Sequence, residues 1–123
     1  MTSVEIIREG GEIREISWRG HAGYAEAGSD IVCAAISSLT TTCVNALETV
    51  AGVQPIVRQD AANAAVHLRL PDGLTGARAH DAQTILRTVL QGLSDLALEY
   101  PKHIRILMGG HHHDEVESSV LRS

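Results

Sequence analysis

DIVCAAISSLTTTCVNALETV, residues 30–50, is the stretch of the chain that decides the fold. Apolar side chains recur in it every three or four residues, which is the spacing of one face of an α-helix. Ser29 and Asp30 are residue types that cap helix N-termini, and Gly52 and Pro55 close the pattern. The stretch therefore predicts an amphipathic helix with one apolar face.

Short β-rich runs lie on both sides of this helix. Residues 4–9 and 13–18 precede it and are separated by Gly10-Gly11, a dipeptide that suits a tight hairpin turn. Residues 55–59 and 64–70 follow it, and the later run alternates apolar and polar side chains like a half-buried strand. The chain around the helix is therefore predicted to form two hairpins.

A second helix and a last strand complete the pattern. Residues 76–99 carry a continuous apolar stripe, Pro101 ends it, and residues 103–108 form a final strand. The order ββαββαβ predicts an α/β (α+β) fold in a single two-layer domain, with one mixed sheet of about five strands packed with two helices. Residues 1–108 form this domain, and residues 109–123 lack periodicity and are predicted to be a disordered tail.

Composition argues against several classes of function. The 123 residues include no Phe, one Trp and two Tyr, and the net charge is −5, so no direct nucleic-acid binding is expected. The N-terminus lacks the basic and apolar regions of a signal peptide. The longest apolar run, residues 31–36, is far shorter than the ~20 residues that span a membrane. We therefore expect a cytoplasmic protein without membrane association.

Two cysteines lie on different faces of the first predicted helix. At ~100° per residue, Cys43 falls on the apolar stripe, whereas Cys33 falls on the polar face with Ser37 and Thr40. Ten residues of helix separate the thiols by about 15 Å, too far for a disulfide. Cys43 is therefore interpreted as a small core residue, and both thiols are expected to be free.

Cys33 also falls in the first turn of that helix. Unpaired backbone N–H groups and the positive end of the helix dipole lie there and favour a thiolate. The same N–H groups are suited to hold a developing oxyanion. This geometry indicates a reactive cysteine, and a half-exposed filler residue is the alternative that it leaves open.

Six of the seven histidines are not expected to act in catalysis or to bind a metal. His111 to His113 are too close together for a rigid metal cage, so neither a metal site nor a cofactor is expected. His67, His80 and His103 are interpreted as solvated surface residues on two strands and a helix start.

His21 is different because it directly follows Gly20 at the end of a predicted strand. A strand end and a helix start are often adjacent in a layered fold, so His21 is placed within reach of Cys33. A Cys–His pair is the minimal unit for nucleophilic catalysis by a thiol. The glycine-containing loop of residues 22–29 between them is expected to be mobile and to close over a bound peptide.

The segment GHAGYAEAGSDIVCAAISSL, residues 20–39, resembles the signature of the ribosomal-processing cysteine protease family, Prp. That family has Gly-His-Ala at a strand end and Asp-Ile-Val-Cys-Ala-Ala at a helix start. The match is close over these residues and holds in outline elsewhere, including Tyr100-Pro101 before the last strand, but the tail after Met108 has no counterpart.

The resemblance implies a bacterial cysteine endopeptidase. Such an enzyme removes a short N-terminal extension from the large-subunit ribosomal protein numbered twenty-seven, during ribosome assembly. The resemblance assigns the nucleophile to Cys33 and the base to His21. It also implies a homodimer in which the loop of residues 22–29 acts as a lid. Gly20, Asp30 and Ser37 become auxiliary or substrate-binding positions.

Simpler roles remain open for two of these residues, and other functions for the chain. Asp30 is interpreted as a helix cap, as a residue that orients His21, or as both, and Ser37 as a substrate contact or a polar-face residue. One competing function is a non-catalytic ribosome-associated assembly or binding factor. The other is a thiol hydrolase of small molecules, which would share the Cys–His pair.

Overall fold

A mixed sheet covered on one face by two helices forms the protein in a computed structural model, which describes residues 1–26, 30–110 and 119–120. Its elements in chain order are β1 (Thr2–Glu9), β2 (Glu12–Arg19), α1 (Ile31–Thr49), β3 (Ile56–Asp60), a short 3-10 turn (Ala61–Asn63), β4 (Ala65–Arg69), α2 (Gly76–Glu99), β5 (Ile104–Gly110) and β6 (Ser119–Val120). The predicted order of two hairpins, two helices and a last strand is confirmed.

The strands lie in the order β3-β4-β2-β1-β5-β6. β1 and β5 are parallel, and the other neighbours are antiparallel, which makes the sheet mixed as predicted. The β1–β2 hairpin turns at Gly10 and Gly11, whose φ angles of 62° and 85° suit a two-residue turn that glycine adopts without strain. One end of the sheet therefore gathers the start of β1, the end of β2 and the start of β5.

The core lies between the helices and the covered face of the sheet. Each helix buries one stripe: Val32, Ile36, Cys43 and Leu47 on α1, and Ala82, Leu86, Val89 and Leu93 on α2. Between the helices, a Cβ at Gly92 would lie 3.2 Å from the methyl groups of Leu39, so glycine allows a close approach there. The predicted apolar faces are confirmed, although Val50, the last apolar residue of the 30–50 pattern, follows α1 and is 68% exposed.

α1 has the length and apolar composition of a membrane-spanning helix, although its apolar run is interrupted. Its buried residues Val32, Ile36, Cys43 and Leu47 instead belong to the hydrophobic core of the domain. A core helix passes the same test of length and composition.

The structure corrects the prediction of a disordered tail for those tail residues that it describes. β5 continues through Gly109 and Gly110, two residues past the expected end of the domain. Ser119 and Val120 pair with Met108 and Leu107 as the short edge strand β6, which the lack of periodicity did not reveal. Two residues are too short for any periodic signal. The rest of the predicted tail, residues 111–118 and 121–123, lies outside the described residues.

Candidate active site

Gly20 directly follows β2 and starts the turn that carries His21. Its φ is +89°, and a Cβ at this position would lie 2.8 Å from the backbone oxygen of Met1, so only glycine fits. The Gly20 N–H donates to the Ala64 oxygen at 3.0 Å, and the Thr2 hydroxyl donates to the Gly20 oxygen at 3.1 Å. Gly20 therefore fixes the direction in which the chain leaves the sheet.

Asp30 holds the start of α1 and the preceding loop together. Its Oδ1 accepts the backbone N–H groups of Val32 at 3.0 Å and Cys33 at 2.9 Å. Its Oδ2 accepts the N–H groups of Tyr24 at 2.9 Å and Ala25 at 3.4 Å. The capping interpretation of Asp30 is therefore confirmed. Among the hydrogen bonds of the described residues, none joins Asp30 to His21.

Hydrogen bonds also determine the charge state of Asp30. Partial burial acts to raise the pKa of the carboxyl group, but hydrogen bonds from the Cys33 and Tyr24 backbones, the Cys33 thiol and the Ala25 backbone outweigh it. The pKa falls from 3.8 to about 2, so Asp30 is a carboxylate at neutral pH.

This arrangement corrects one expectation about the helix start. The N–H groups of Val32 and Cys33, which were expected to be free for an oxyanion, already donate to Asp30. Their donor capacity is used by the cap itself. An oxyanion at Cys33 must therefore find its donors elsewhere, or Asp30 must release them.

Cys33 and Cys43 occupy contrasting environments on α1, as predicted. Cys33 is half-buried, and its Sγ accepts the backbone N–H of Ala22 at 3.2 Å. Cys43 is fully buried, and burial raises the pKa of its thiol to about 12. Cys33 is therefore the more accessible thiol of α1, and Cys43 is enclosed in the core.

Two cavities meet at Cys33. The strand-side cavity, of about 310 Å³, lies between α1 and the ends of the strands. Its lining is Thr2, Trp18, Gly20, His21, Cys33, Ile36, Ser37, Thr40, Thr41, Gln59, Ala64 and Val66. The loop-side cavity, of about 540 Å³, is lined by His21, Gly23, Ala25, Asp30, Cys33, Ala34 and Ser37.

Three residues are common to both cavities: His21, Cys33 and Ser37. The predicted base, nucleophile and auxiliary serine are thus brought to one place from the end of β2 and the first two turns of α1. His21 and Ser37 are exposed, and no hydrogen bond of the described residues joins His21 to the Cys33 thiol. Gly20 lines the strand-side cavity and Asp30 the loop-side cavity.

Two histidines that were interpreted as solvated are bound within the structure. His67 Nδ1 lies 2.7 Å from the Ser17 hydroxyl and its Nε2 lies 2.9 Å from Glu15 Oε1, on the open face of the sheet. His103 Nδ1 lies 3.1 Å from the Ala22 oxygen. His80 is exposed as predicted, and its Nδ1 lies 3.3 Å from Oδ1 of its neighbour Asp81. Both corrections arise from cross-strand or cross-element neighbours that periodicity does not identify.

The described residues do not provide a set of side chains suited to bind a metal ion. Across residues 1–26 and 30–110, no three His, Cys, Asp or Glu side chains are grouped as a set of ligands. The His111 to His113 tract lies outside the described residues.

The chain resembles known proteins over most of its length. The family model for the cysteine protease Prp matches residues 1–105. The ribosomal processing cysteine protease Prp of Staphylococcus aureus is 32% identical over 107 residues, covering 86% of this chain and 97% of that relative. The chain belongs to the Prp family of cysteine proteases.

Solved Prp structures share the architecture. The S. aureus protease in complex with a covalently linked product peptide aligns with a TM-score of 0.80 at 31% identity, covering 88% of this chain and 99% of that chain. The same protease in complex with a substrate peptide aligns with a TM-score of 0.75 at 30% identity and the same coverage. The predicted enzyme class and the predicted α+β fold are both confirmed.

The sequence pattern did not indicate that Trp18, Ala22 and His103 contribute to this candidate site. Trp18 lines the strand-side cavity, and its Nε1 is the buried side-chain nitrogen without a hydrogen-bond partner among the described residues. Ala22 contributes only backbone atoms, which no residue pattern reveals. His103 directly precedes β5, and it comes near the site because β5 pairs with β1, a strand order that the sequence does not specify.

Proposed function

We propose that this Prp protease cleaves a ribosomal protein precursor through a Cys33–His21 dyad. The observation that carries the proposal is the junction of two cavities at His21, Cys33 and Ser37. A peptide that runs from one cavity to the other would place a backbone carbonyl beside the Cys33 thiol. The Ala22 N–H that reaches Cys33 Sγ at 3.2 Å supports a thiolate there.

The reaction follows from these groups. His21 takes the proton of the Cys33 thiol, and Cys33 Sγ attacks the carbonyl carbon of the scissile bond. His21 then gives that proton to the leaving amine as the C–N bond breaks. The product is an acyl-enzyme, a thioester on Cys33. Water then attacks this thioester while His21 takes its proton, which returns to Sγ as the carboxylic acid leaves. Ser37, one turn after Cys33, is placed to contact the substrate backbone.

The substrate that we propose is the large-subunit ribosomal protein numbered twenty-seven, carrying a short N-terminal extension. Support comes from the family membership and from the name of the S. aureus relative, a ribosomal processing protease. Removal of the N-terminal extension would take place in the cytoplasm during ribosome assembly. The net charge of −5 fits a protein that meets a basic ribosomal protein rather than RNA.

A homodimer is part of the proposal. It rests on the resemblance of residues 20–39 to the family signature. Leu98 near the end of α2 is 64% exposed and supplies apolar surface outside the core. Sedimentation equilibrium over a range of concentrations measures the mass directly, and a monomer mass throughout would contradict this part alone.

The decisive experiment uses the source organism's own ribosomal protein precursor. Purified protease is mixed with the precursor, and intact-mass spectrometry follows the loss of the N-terminal extension. We expect a single cut near the N-terminus, and no cut in a protein that begins at the mature residue. Hydrolysis of small thioesters without peptide cleavage would favour a small-molecule thiol hydrolase. Binding to ribosomal particles without either activity would favour an assembly factor.

A further inference from the structure

His103 lies at the sheet end that carries the candidate dyad. Its backbone is fixed on both sides, because its N–H donates to the Tyr100 oxygen at 2.9 Å and its oxygen accepts the Thr2 N–H at 2.9 Å. Its ring meets the edge of the Tyr24 ring, with the centroids 5.3 Å apart. The position of this imidazole is therefore set by β1, α2 and the loop before α1.

The imidazole contacts the residue whose N–H reaches the cysteine. His103 Nδ1 lies 3.1 Å from the Ala22 oxygen, and a carbonyl oxygen only accepts, so Nδ1 carries the proton and donates. On its other side, the buried Ala22 donates its N–H to Cys33 Sγ at 3.2 Å. One residue thus accepts from His103 and donates to the cysteine.

We propose that His103 is a positioning residue for Cys33. Its hydrogen bond to the Ala22 oxygen keeps the Ala22 N–H directed at the thiolate. The inference rests on the proposed role of Cys33 as the nucleophile. Without the His103 donor, the chain at Ala22 would lose one of its two hydrogen bonds, and a shift of Ala22 would move its N–H, in the preceding peptide unit, away from Sγ. The thiolate would then lose a hydrogen bond that favours the charged form.

Tyr24 completes the support for this contact. Its ring packs edge-on between His103 and Tyr100, at centroid distances of 5.3 Å and 5.6 Å. Its backbone N–H donates to Asp30 at 2.9 Å. The loop is therefore held at Tyr24 as well, so the loss of the His103 donor should reorient Ala22 without releasing the whole segment.

Two substitutions separate the donor from the ring. His103→Asn keeps an N–H donor near the position of Nδ1, and His103→Phe keeps an aromatic ring against Tyr24 but has no donor. The first measurement is the rate of Cys33 alkylation by iodoacetamide across the neutral pH range, with the site of labelling assigned by mass spectrometry. The second is kcat/KM on a peptide spanning the precursor cleavage site.

We expect His103→Phe to lower kcat/KM about tenfold and to move the half-maximal alkylation rate to higher pH. His103→Asn should restore most of both properties. His80→Phe is the matched control, because the His80 side chain is exposed on α2 and contacts its neighbour Asp81. It should behave like the unmodified protein in both measurements.

The outcomes that overturn the inference are distinct from those that overturn the proposed function. If Cys33→Ala abolishes cleavage but His103→Phe matches the unmodified protein, His103 does not position the nucleophile. Equal losses in His103→Phe and His103→Asn, with an unchanged pH profile, would show a general packing role and would also overturn it. If Cys33→Ala still cleaves the peptide, the proposed dyad itself is wrong.

Discussion

Asp30 Oδ1 accepts the backbone N–H of Cys33 at 2.9 Å, so the helix cap is bonded to the peptide unit of the candidate nucleophile. The second oxygen of the same carboxylate accepts N–H groups of Tyr24 and Ala25 in the loop that follows His21. One ionised side chain therefore ties the loop to the first turn of α1. Local capping and the geometry of the site depend on the same group.

Removal of either member of the dyad should abolish proteolysis. Cys33→Ala leaves no nucleophile and His21→Ala leaves no proton carrier, so each variant should lose at least about a thousandfold in kcat/KM. Both residues border open cavities, so the melting temperature should hardly change. Peptide cleavage and thermal unfolding are measured side by side. His80→Ala is the control for histidine removal, and near-normal cleavage by either dyad variant would refute the assignment.

The two cysteines should respond in opposite ways to replacement by serine. Cys43→Ser places a hydroxyl at a fully buried position and should lower the free energy of unfolding by ~1–3 kcal/mol. Cys33→Ser lies at a half-buried position and should hardly change stability while removing activity. Urea unfolding of both variants provides the comparison. Equal losses of stability would contradict the assignment of the two thiols to different faces of α1.

Periodicity and punctuation predicted most of this fold. The spacing of Val32, Ile36 and Leu47 identified α1 and its buried face, and Gly10-Gly11 identified the hairpin turn. These signals are local, because a helix or a tight turn is defined by neighbours in the chain. The strand order, with β5 parallel to β1, depends on distant pairing and could not be predicted this way.

The residues of the site likewise fall into two groups: those that local patterns predicted and those that depend on distant contacts. Helical phase distinguished Cys33 from Cys43, and the Gly-His dipeptide at a strand end identified His21. The Ala22 N–H and the His103 imidazole reach the site through backbone geometry and strand pairing, so no residue pattern indicated them. The mobility expected for the loop of residues 22–29 stays a prediction. Its described part, through residue 26, is tied to Asp30, and residues 27–29 lie outside the described chain.

Gly20→Ala should destabilise the protein and impair catalysis together. The new Cβ would meet the Met1 oxygen at 2.8 Å, and alanine is strained at a φ of +89°. We expect a loss of ~1–3 kcal/mol in the free energy of unfolding and a lower kcat, because His21 follows directly. Gly52→Ala is the matched control, since its φ is +67° but no atom lies within 4 Å of the added Cβ. If Gly20→Ala costs no more than Gly52→Ala, the close approach to Met1 is unimportant.

Trp18 should report on peptide binding. It is the single tryptophan of the chain and lines the strand-side cavity. A peptide that enters this cavity changes the surroundings of the indole, so its fluorescence should change in intensity or wavelength. The titration uses the Cys33→Ala variant with a peptide spanning the precursor cleavage site, and a peptide of scrambled sequence as the control. An unchanged spectrum at a peptide concentration shown by calorimetry to saturate the protein would place the substrate outside this cavity.

Asp30 should make the stability of the protein sensitive to acid. Its pKa is about 2 in the folded protein against an ordinary value of 3.8, because N–H groups of Cys33, Tyr24 and Ala25 stabilise the charged form. A lowered pKa means that the unfolded chain binds the proton first, so the contribution of Asp30 is complete above about pH 4 and is lost as the pH falls toward 2. Asp30→Asn should flatten this part of the curve of unfolding free energy against pH, because its amide does not titrate.

Asp30→Asn should also reduce cleavage at neutral pH, since the amide nitrogen cannot accept the N–H groups that one carboxylate oxygen now holds. Asp60→Asn serves as the control: a hydrogen bond from the Asn63 side chain lowers the pKa of Asp60, but this carboxylate caps the 3-10 turn and accepts no N–H group of Cys33. That variant should alter acid stability while leaving cleavage unchanged. A wild-type slope between pH 4 and 2 that persists in full in Asp30→Asn would show that the cap is not the group that titrates.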